Sequence, residues 1–193
     1  GIYIHQDEEK KELLKGVATD GHRLAQVKLK TPEGADGMPS IIIPRKTVNE
    51  LRKLIDETDR DIHIKVSKNK IRFKVNNCIL TSKLIDGTFP DYQRVIPNEN
   101  NNKLEILTRD FKDAVDRVST ISIEKTRAVK LEIKNNSLTL KVNNTEIGNA
   151  VEELSVTYEG NEFEIGFNSK YLLYIPSQII GNKIHFSLSD SSS

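Results

Sequence analysis

Three residues in one short stretch, Asp20, His22 and Arg23, have the types that acid–base chemistry uses. A carboxylate beside an imidazole is the pair by which a general base is held and oriented. Such a base needs a nucleophile to act on, and no Ser or Cys in a nucleophile-like setting accompanies it. Gly87 to Phe89 does not form a nucleophile elbow. The competing reading is a turn, because Asp20-Gly21 is a turn signal and His22 and Arg23 then lead into a strand. His5, His63 and His185 are scattered on strand-like segments and fit no metal-ligand spacing. Gly160 and Gly166 are isolated, so no phosphate-cradling loop is present. The sequence therefore predicts no catalytic residue, no metal and no cofactor. A hydrolase built on Asp20 and His22 stands as the enzymatic alternative.

A second group of residues suits nucleic acid. Arg45, Lys46, Arg52 and Lys53 cluster on one predicted helix, and Lys65, Lys68, Lys70, Arg72 and Lys74 follow. Such cations neutralise phosphates without reading sequence, which leaves a generic double-stranded nucleic-acid binder as another alternative. The bland reading is a solvated helix and hairpin. Aromatic residues make up only 6% and Trp is absent, which argues against a stacking platform for single strands. A third group suits a peptide. Leu24, Pro90 and Val95 are apolar, while His22, Arg23 and Arg94 lie beside them and could bind peptide carbonyls or a carboxylate. A few buried anchors with a polar rim are how such grooves work. The bland reading here is ordinary core.

The elements that position these residues are legible from periodicity. Residues 2–4 and 13–18 read as strands around a charged turn from Gln6 to Glu12. Arg23 to Lys30 alternates weakly, Thr31 to Ser40 is a loop, and Ile41 to Ile43 is a short strand closed by Pro44. From Arg45, the apolar residues Val48, Leu51, Leu54 and Ile55 recur at helical spacing. Asp61 to Ser67 and Lys70 to Val75 form a hairpin, and Cys78 to Leu84 adds a strand. Cys78, the single cysteine, sits in an apolar run and is expected to be buried; it excludes an intramolecular disulfide.

Asn98 to Asn102 is turn-rich. Thr108 is expected to cap a helix whose face holds Phe111, Ala114, Val115 and Val118. Ala128 to Ile133 and Ser137 to Val142 make a hairpin, and Glu152 to Glu159 and Glu162 to Phe167 add strands. Asn168 is expected to cap a further helix, which Pro176 ends or kinks. Lys183 to Leu188 is the last strand. A unit of helix, then strand–turn–strand, occurs at 45–75 and 108–142, and a third copy begins at 168 and stops after one strand. This pattern implies internally two-fold domains with sheets outside and helices grouped on one side. It also leaves an expected open sheet edge, from which the chain is expected to continue past Ser193.

The chain has 193 residues, 36% hydrophobic and 30% charged, with a net charge of +1. Those values fit a globular protein of one large or two small domains. No apolar run reaches the roughly 20 residues of a membrane span, and no signal peptide is evident, so a cytoplasmic location without a membrane partner is expected.

The strings Ala18-Thr19-Asp20-Gly21-His22-Arg23-Leu24-Ala25, Pro44-Arg45-Lys46 and Thr81 to Pro97 carry a family resemblance. So do Ile165 to Leu172 and Leu188-Ser189-Asp190-Ser191. Their order and spacing resemble the bacterial DNA polymerase III beta subunit, the beta sliding clamp, over essentially the whole chain. The resemblance implies an α+β DNA-clamp fold with antiparallel sheets outside and helices lining a central channel. It places residues 1–92 in the second, middle domain with its N-terminal part missing. Residues 93–193 then belong to the third domain, without its C-terminal strand. It implies a replication processivity factor, a head-to-tail homodimer in the full-length protein, encircling duplex DNA without sequence preference. The expected partners are the polymerase III alpha subunit, clamp-loader subunits, and other polymerases and repair proteins. These bind by a short motif in a groove between the two domains.

The family pattern assigns Thr19, Gly21, His22, Arg23, Leu24, Pro90, Arg94, Val95, Asn168 and Tyr171 to that groove. Arg45 and Lys46 match positions near the DNA-facing channel, with Arg52 and Lys53 on the same helix. Thr120 and Ile121 correspond to the subunit interface. Ser192 departs from the aliphatic residue common at its position.

Overall fold

The computed structural model describes residues 1–56, 61–122 and 127–189. Asp190, Ser191 and Ser192, invoked above, lie outside the described residues. The chain divides into two compact units, Gly1–Gln93 and Arg94–Ser193.

The first unit contains β1 (Ile2–Gln6), β2 (Leu13–Thr19), β3 (Leu24–Lys30), β4 (Ile41–Ile43), α1 (Arg45–Ile55), β5 (His63–Val66), β6 (Lys70–Val75) and β7 (Cys78–Lys83). Its strands form two antiparallel sheets, ordered β3-β2-β1-β4 and β5-β6-β7. Strand β6 alternates strictly: Ile71, Phe73 and Val75 are buried, while Lys70, Arg72 and Lys74 are exposed. The apolar stripe of α1, with Val48 and Leu51, packs against the buried side, where Ile71 and Phe73 join Ile41 and Ile43. Thr47 Oγ1 and Ser82 Oγ, 2.6 Å apart, tie α1 to β7.

Two polar features hold the first unit in ways the sequence does not announce. The turn between β1 and β2 is organised by Asp7, whose Oδ1 accepts the backbone N–H groups of Glu9 and Lys10 at 2.9 and 3.1 Å. Its Oδ2 lies 2.7 Å from Lys15 Nζ, and both side chains are close to fully buried. The hydrogen bond from Lys15, with those from the backbone, holds the Asp7 carboxyl well below the usual carboxylate range, and Asp7 in turn raises the Lys15 ammonium. The segment after β7 folds back onto β1. Phe89 stacks on Tyr3 with centroids 4.8 Å apart, Tyr3 stacks on His5 at 4.7 Å, and Tyr92 lies against His5 at 5.8 Å. Gln6 O can only accept, so His5 Nδ1 donates to it at 2.6 Å, and Nε2 then accepts the Tyr92 hydroxyl at 3.0 Å in the neutral ring. Gln26 Nε2 donates to the same Tyr92 oxygen at 3.3 Å.

The second unit contains β8 (Asn102–Leu107), α2 (Thr108–Ser119), β9 (Ala128–Lys134), β10 (Ser137–Asn144), β11 (Gly148–Ser155), β12 (Thr157–Tyr158), β13 (Phe163–Asn168), α3 (Ser169–Tyr174) and β14 (Lys183–Leu188). Here too one four-stranded sheet, β11-β10-β9-β13, accompanies one three-stranded sheet, β12-β8-β14. The fully buried Phe111, Ala114 and Val115 of α2 meet Leu104, Leu131, Leu140 and Tyr158 in a single core. The expected helix, strand–turn–strand units are present as α1-β5-β6 and α2-β9-β10. Among the described residues β14 pairs with β8 alone.

Several expectations are corrected. Strand β8 lies in a stretch assigned no element, although Leu104 and Ile106 alternate there and are buried. Thr108 is the first helical residue and not the cap; its Oγ1 donates to Gly181 O at 2.9 Å, tying α2 to the loop before β14. The strand expected over 152–159 is two, because the chain leaves the β10 partner at Ser155 and pairs with β8 at Thr157 and Tyr158. Cys78 is exposed, since it stands at the turn end of β7 opposite Val75 rather than under the helix. Gly160, isolated in sequence, permits a close approach: a Cβ there would lie 2.6 Å from the hydroxyl of the buried Tyr158.

Two outcomes follow from the polar features. Tyr92→Phe removes the hydroxyl from the buried His5 and should cost the first unit about 1–2 kcal/mol. It should be read as faster amide hydrogen exchange at Tyr3 to His5, with the β9 and β10 amides unchanged. Asp7→Asn should lower the melting temperature at neutral pH. Because Asp7 titrates below its unfolded value, its contribution is complete above about pH 4 and is lost as pH falls through the folded value. The gap between the variant and the parent should therefore narrow in acid.

Candidate functional site

The hairpin that joins β2 to β3 carries five of the ten residues assigned to peptide binding. Thr19 and Leu24 are paired across its mouth. Gly21 takes φ = 85°, a left-handed conformation that disfavours any side chain. Thr19 Oγ1 donates to Arg23 O at 2.8 Å and accepts the Gly21 N–H at 3.1 Å. Asp20 Oδ1 accepts the N–H groups of both His22 and Arg23 at 3.1 Å, and Oδ2 accepts Arg23 Nε at 3.1 Å. The tip is thus locked by its own polar groups, with Leu24 half-buried at its base.

This geometry decides against the acid–base reading. Both Asp20 oxygens are engaged by the turn rather than directed to the His22 ring. The backbone hydrogen bonds from His22 and Arg23 lower the Asp20 carboxyl, which makes it a weaker base. Among the described residues no group of three or more His, Cys, Asp or Glu side chains could hold a metal ion.

Pro90 is exposed in the segment that Phe89 and Tyr92 anchor to β1. Arg94 and Val95 end a 3-10 turn over Tyr92–Val95, and Val95 is 68% exposed. Asn168 ends β13 and caps α3, its Oδ1 accepting the Lys170 N–H at 3.0 Å. Tyr171 stands half-buried in the first turn of α3. The structure therefore gathers Thr19, Gly21, His22, Arg23 and Leu24 on one hairpin, and Asn168 and Tyr171 at one helix start.

Arg45, Lys46, Arg52 and Lys53 all lie on the exposed side of α1. Lys53 is paired with Glu50 at 3.2 Å, and Arg52 and Lys53 occupy the last turn, where cations favour the helix dipole. Lys65, Lys70, Arg72 and Lys74 do not extend this surface. They project from the other side of the three-stranded sheet, because α1 covers the side to which Ile71 and Phe73 point. The exposed side of α2 mixes Arg109, Lys112 and Arg117 with Asp110, Asp113 and Asp116.

Thr120 Oγ1 donates to Asp116 O at 3.2 Å, and Ile121 O accepts Asn144 Nδ2 at 2.8 Å. Nearby in the same unit, β11 pairs with β10 alone among the described residues, and Ile147 and Val151 are exposed at 68% and 64%. Neither residue belongs to a motif legible in the sequence. Ile147 stands in the turn before β11, and Val151 is an apolar residue on the exposed register of β11.

Residues 1–91 match the model of the DNA polymerase III beta subunit central domain, and residues 93–193 that of its C-terminal domain. The chain is 48% identical to the beta sliding clamp of Caulobacter vibrioides over 194 aligned positions, covering 100% of this chain and 52% of that protein. It is 42% identical to the beta sliding clamp of Escherichia coli K12, covering 94% of this chain and 50% of that protein. Among solved structures, the DnaN sliding clamp of Bartonella birtlesii bound to griselimycin superposes with a TM-score of 0.93 at 53% identity, over 99% of this chain and 52% of that one. A Caulobacter crescentus beta sliding clamp superposes with a TM-score of 0.94 at 48% identity, over 100% of this chain and 52% of that one. The chain thus spans about half the length of the relatives it matches. With both halves matched in order, and with the clamp fold reproduced, the chain belongs to the DNA polymerase III beta subunit family, the beta sliding clamps.

Proposed function

We propose that this chain acts within a DNA replication processivity factor, a clamp that holds polymerase on duplex DNA without chemistry of its own. The observation that carries the reading is the match of both halves, in order, to the central and C-terminal domains of the beta subunit. The partners are double-stranded DNA without sequence preference, the polymerase III alpha subunit, clamp-loader subunits, and other polymerases and repair proteins. The compartment is the cytoplasm.

The peptide-binding residues are Thr19, Gly21, His22, Arg23, Leu24 and Pro90 from the first unit, and Arg94, Val95, Asn168 and Tyr171 from the second. A self-satisfied hairpin suits this task. Its polar groups are already paired, so a peptide pays little to desolvate or order it, and Leu24 can serve as an apolar floor. Griselimycin, bound by the Bartonella birtlesii clamp, is a candidate ligand for the same residues.

The DNA-facing residues are Arg45, Lys46, Arg52 and Lys53. Cations on a solvated helix attract phosphates without base contacts. With α2 carrying both signs, the attraction is weak, which suits sliding. Retention then comes from ring closure, and a tethered polymerase gains effective concentration at the primer end. The homodimer contact uses Thr120 and Ile121, and β11, which pairs with β10 alone among the described residues, extends it with Val151 and the preceding Ile147.

Two measurements test this. In fluorescence polarisation with a labelled peptide from a polymerase C-terminus, Leu24→Asp should weaken binding at least about tenfold, a loss of roughly 1.4 kcal/mol. Circular dichroism should stay unchanged; equal affinity in parent and variant would refute the groove assignment. For duplex DNA, Arg45→Ala with Lys46→Ala should flatten the slope of log affinity against log salt by about 1–2. An unchanged slope would remove α1 from the DNA-facing surface.

A further inference from the structure

The outer face of the three-stranded sheet β5-β6-β7 carries an unusual combination of residues that the clamp reading leaves without a task. Register places His63, Lys74 and Ile79 in one row and Lys65, Arg72 and Thr81 in the next, with Lys70 beside Lys83 beyond. Lys65 and Arg72 are therefore direct cross-strand neighbours of like charge, an arrangement that opposes pairing of the two strands. Among the described residues none of Lys65, Lys70, Arg72, Lys74 and Lys83 forms an ion pair. Asp61 borders an adjoining hollow at the His63 and Lys74 end. Ile79, 62% exposed, stands beside Lys74 on the outer strand β7. His63, Lys65, Arg72, Lys74 and Ile79 line an open hollow of about 310 Å³.

We propose that this face docks an acidic peptide segment of a partner protein, with one aliphatic side chain seated on Ile79 and flanking carboxylates on Lys65, Arg72 and Lys74. Charge selects an anionic occupant. The apolar floor selects a peptide over a nucleic-acid backbone, because a phosphodiester chain offers nothing to bury on Ile79. The hollow is lined by no Phe, Tyr or Trp ring, and His63 alone offers a small ring at its edge. Spacing agrees: alternate residues on a strand lie roughly 6.6 Å apart and neighbouring strands about 4.8 Å apart, so an extended peptide laid along β6 would present successive same-side carboxylates at the repeat of its cations. Arg72 can hold a carboxylate by two parallel hydrogen bonds. The site lies apart from the β2–β3 hairpin and from the exposed side of α1, so it leaves both free, and it does not depend on the function proposed above.

The test is isothermal titration calorimetry of the chain with a synthetic decapeptide of Glu and Asp residues around one central Leu. Saturable binding is expected, weakening more than about tenfold in Arg72→Glu/Lys74→Glu and several-fold when the peptide Leu is replaced by Ala. Leu24→Asp should bind the peptide as the parent does. Substitutions at exposed positions leave the core intact, which circular dichroism checks. Absence of saturable binding, or binding that ignores Arg72→Glu/Lys74→Glu, would overturn the proposal. Equal affinity for the Leu and Ala peptides, or tighter binding of an oligothymidylate of the same net charge, would overturn it in favour of simple polyanion attraction.

Discussion

A helix laid across one face of an antiparallel sheet fixes what this chain can present to solvent. Strands alternate, so once α1 covers Ile71 and Phe73, Lys70, Arg72 and Lys74 must point the other way. The same contact turns Val48 and Leu51 inward and leaves Arg45, Lys46, Arg52 and Lys53 outward. Two cationic surfaces result, one on each side of the first unit, from a sequence in which the cations run almost continuously. In the second unit α2 covers β9 and β10 in the same manner, and the core from Leu104 to Leu188 is continuous around it.

A second constraint acts on the segment after β7. Phe89 and Tyr92 are not linker residues in any loose sense, because the stack through Tyr3 and His5 and the hydrogen bonds to His5 and Gln26 hold them to the sheet. Pro90 is carried between them and so has a fixed place. The hairpin tip achieves the same end with polar groups alone. Thr19 and Asp20 satisfy the backbone around Gly21, and for the proposed peptide docking such a pre-ordered turn lowers the entropy cost of binding. The proposed binding role needs placed surfaces and not perturbed side chains. That accords with an Asp20 carboxyl pushed toward its charged, weakly basic form.

Much of this was legible in the residues. The period of Val48, Leu51, Leu54 and Ile55 marked α1, the strict alternation of Lys70 to Val75 marked β6, and Asp20-Gly21 marked the turn. What escaped was of two kinds. Strand β8 alternates as clearly as β6, but it follows the Asn-rich 98–102 stretch and was overshadowed by it. The contact of Tyr92 with His5 and the sheet switch after Ser155 depend on residues far apart in sequence, while the Asp7–Lys15 pair and the exposure of Cys78 depend on how a hairpin brings its two strands together, and periodicity carries no trace of either. Likewise, that Lys65 and Arg72 stand apart from Arg45 and Arg52 follows only once the covered face of the sheet is known. The roles proposed for Thr19, Leu24, Pro90, Val95, Asn168 and Tyr171 rest on family resemblance, since physics alone reads Asn168 as a helix cap and Leu24 as partial core.

The central proposal is that Thr19 to Leu24, Pro90, Arg94, Val95, Asn168 and Tyr171 receive partner peptides. The most direct measurement is the change in backbone amide NMR signals of the isotope-labelled chain on titration with an unlabelled clamp-binding peptide. The account predicts shifts concentrated at Thr19 to Leu24, at Asp91 after Pro90, at Arg94 and Val95, and at Asn168 to Tyr171. Shifts confined to α1 or β11, or no shifts from a folded chain at saturating peptide, would contradict it.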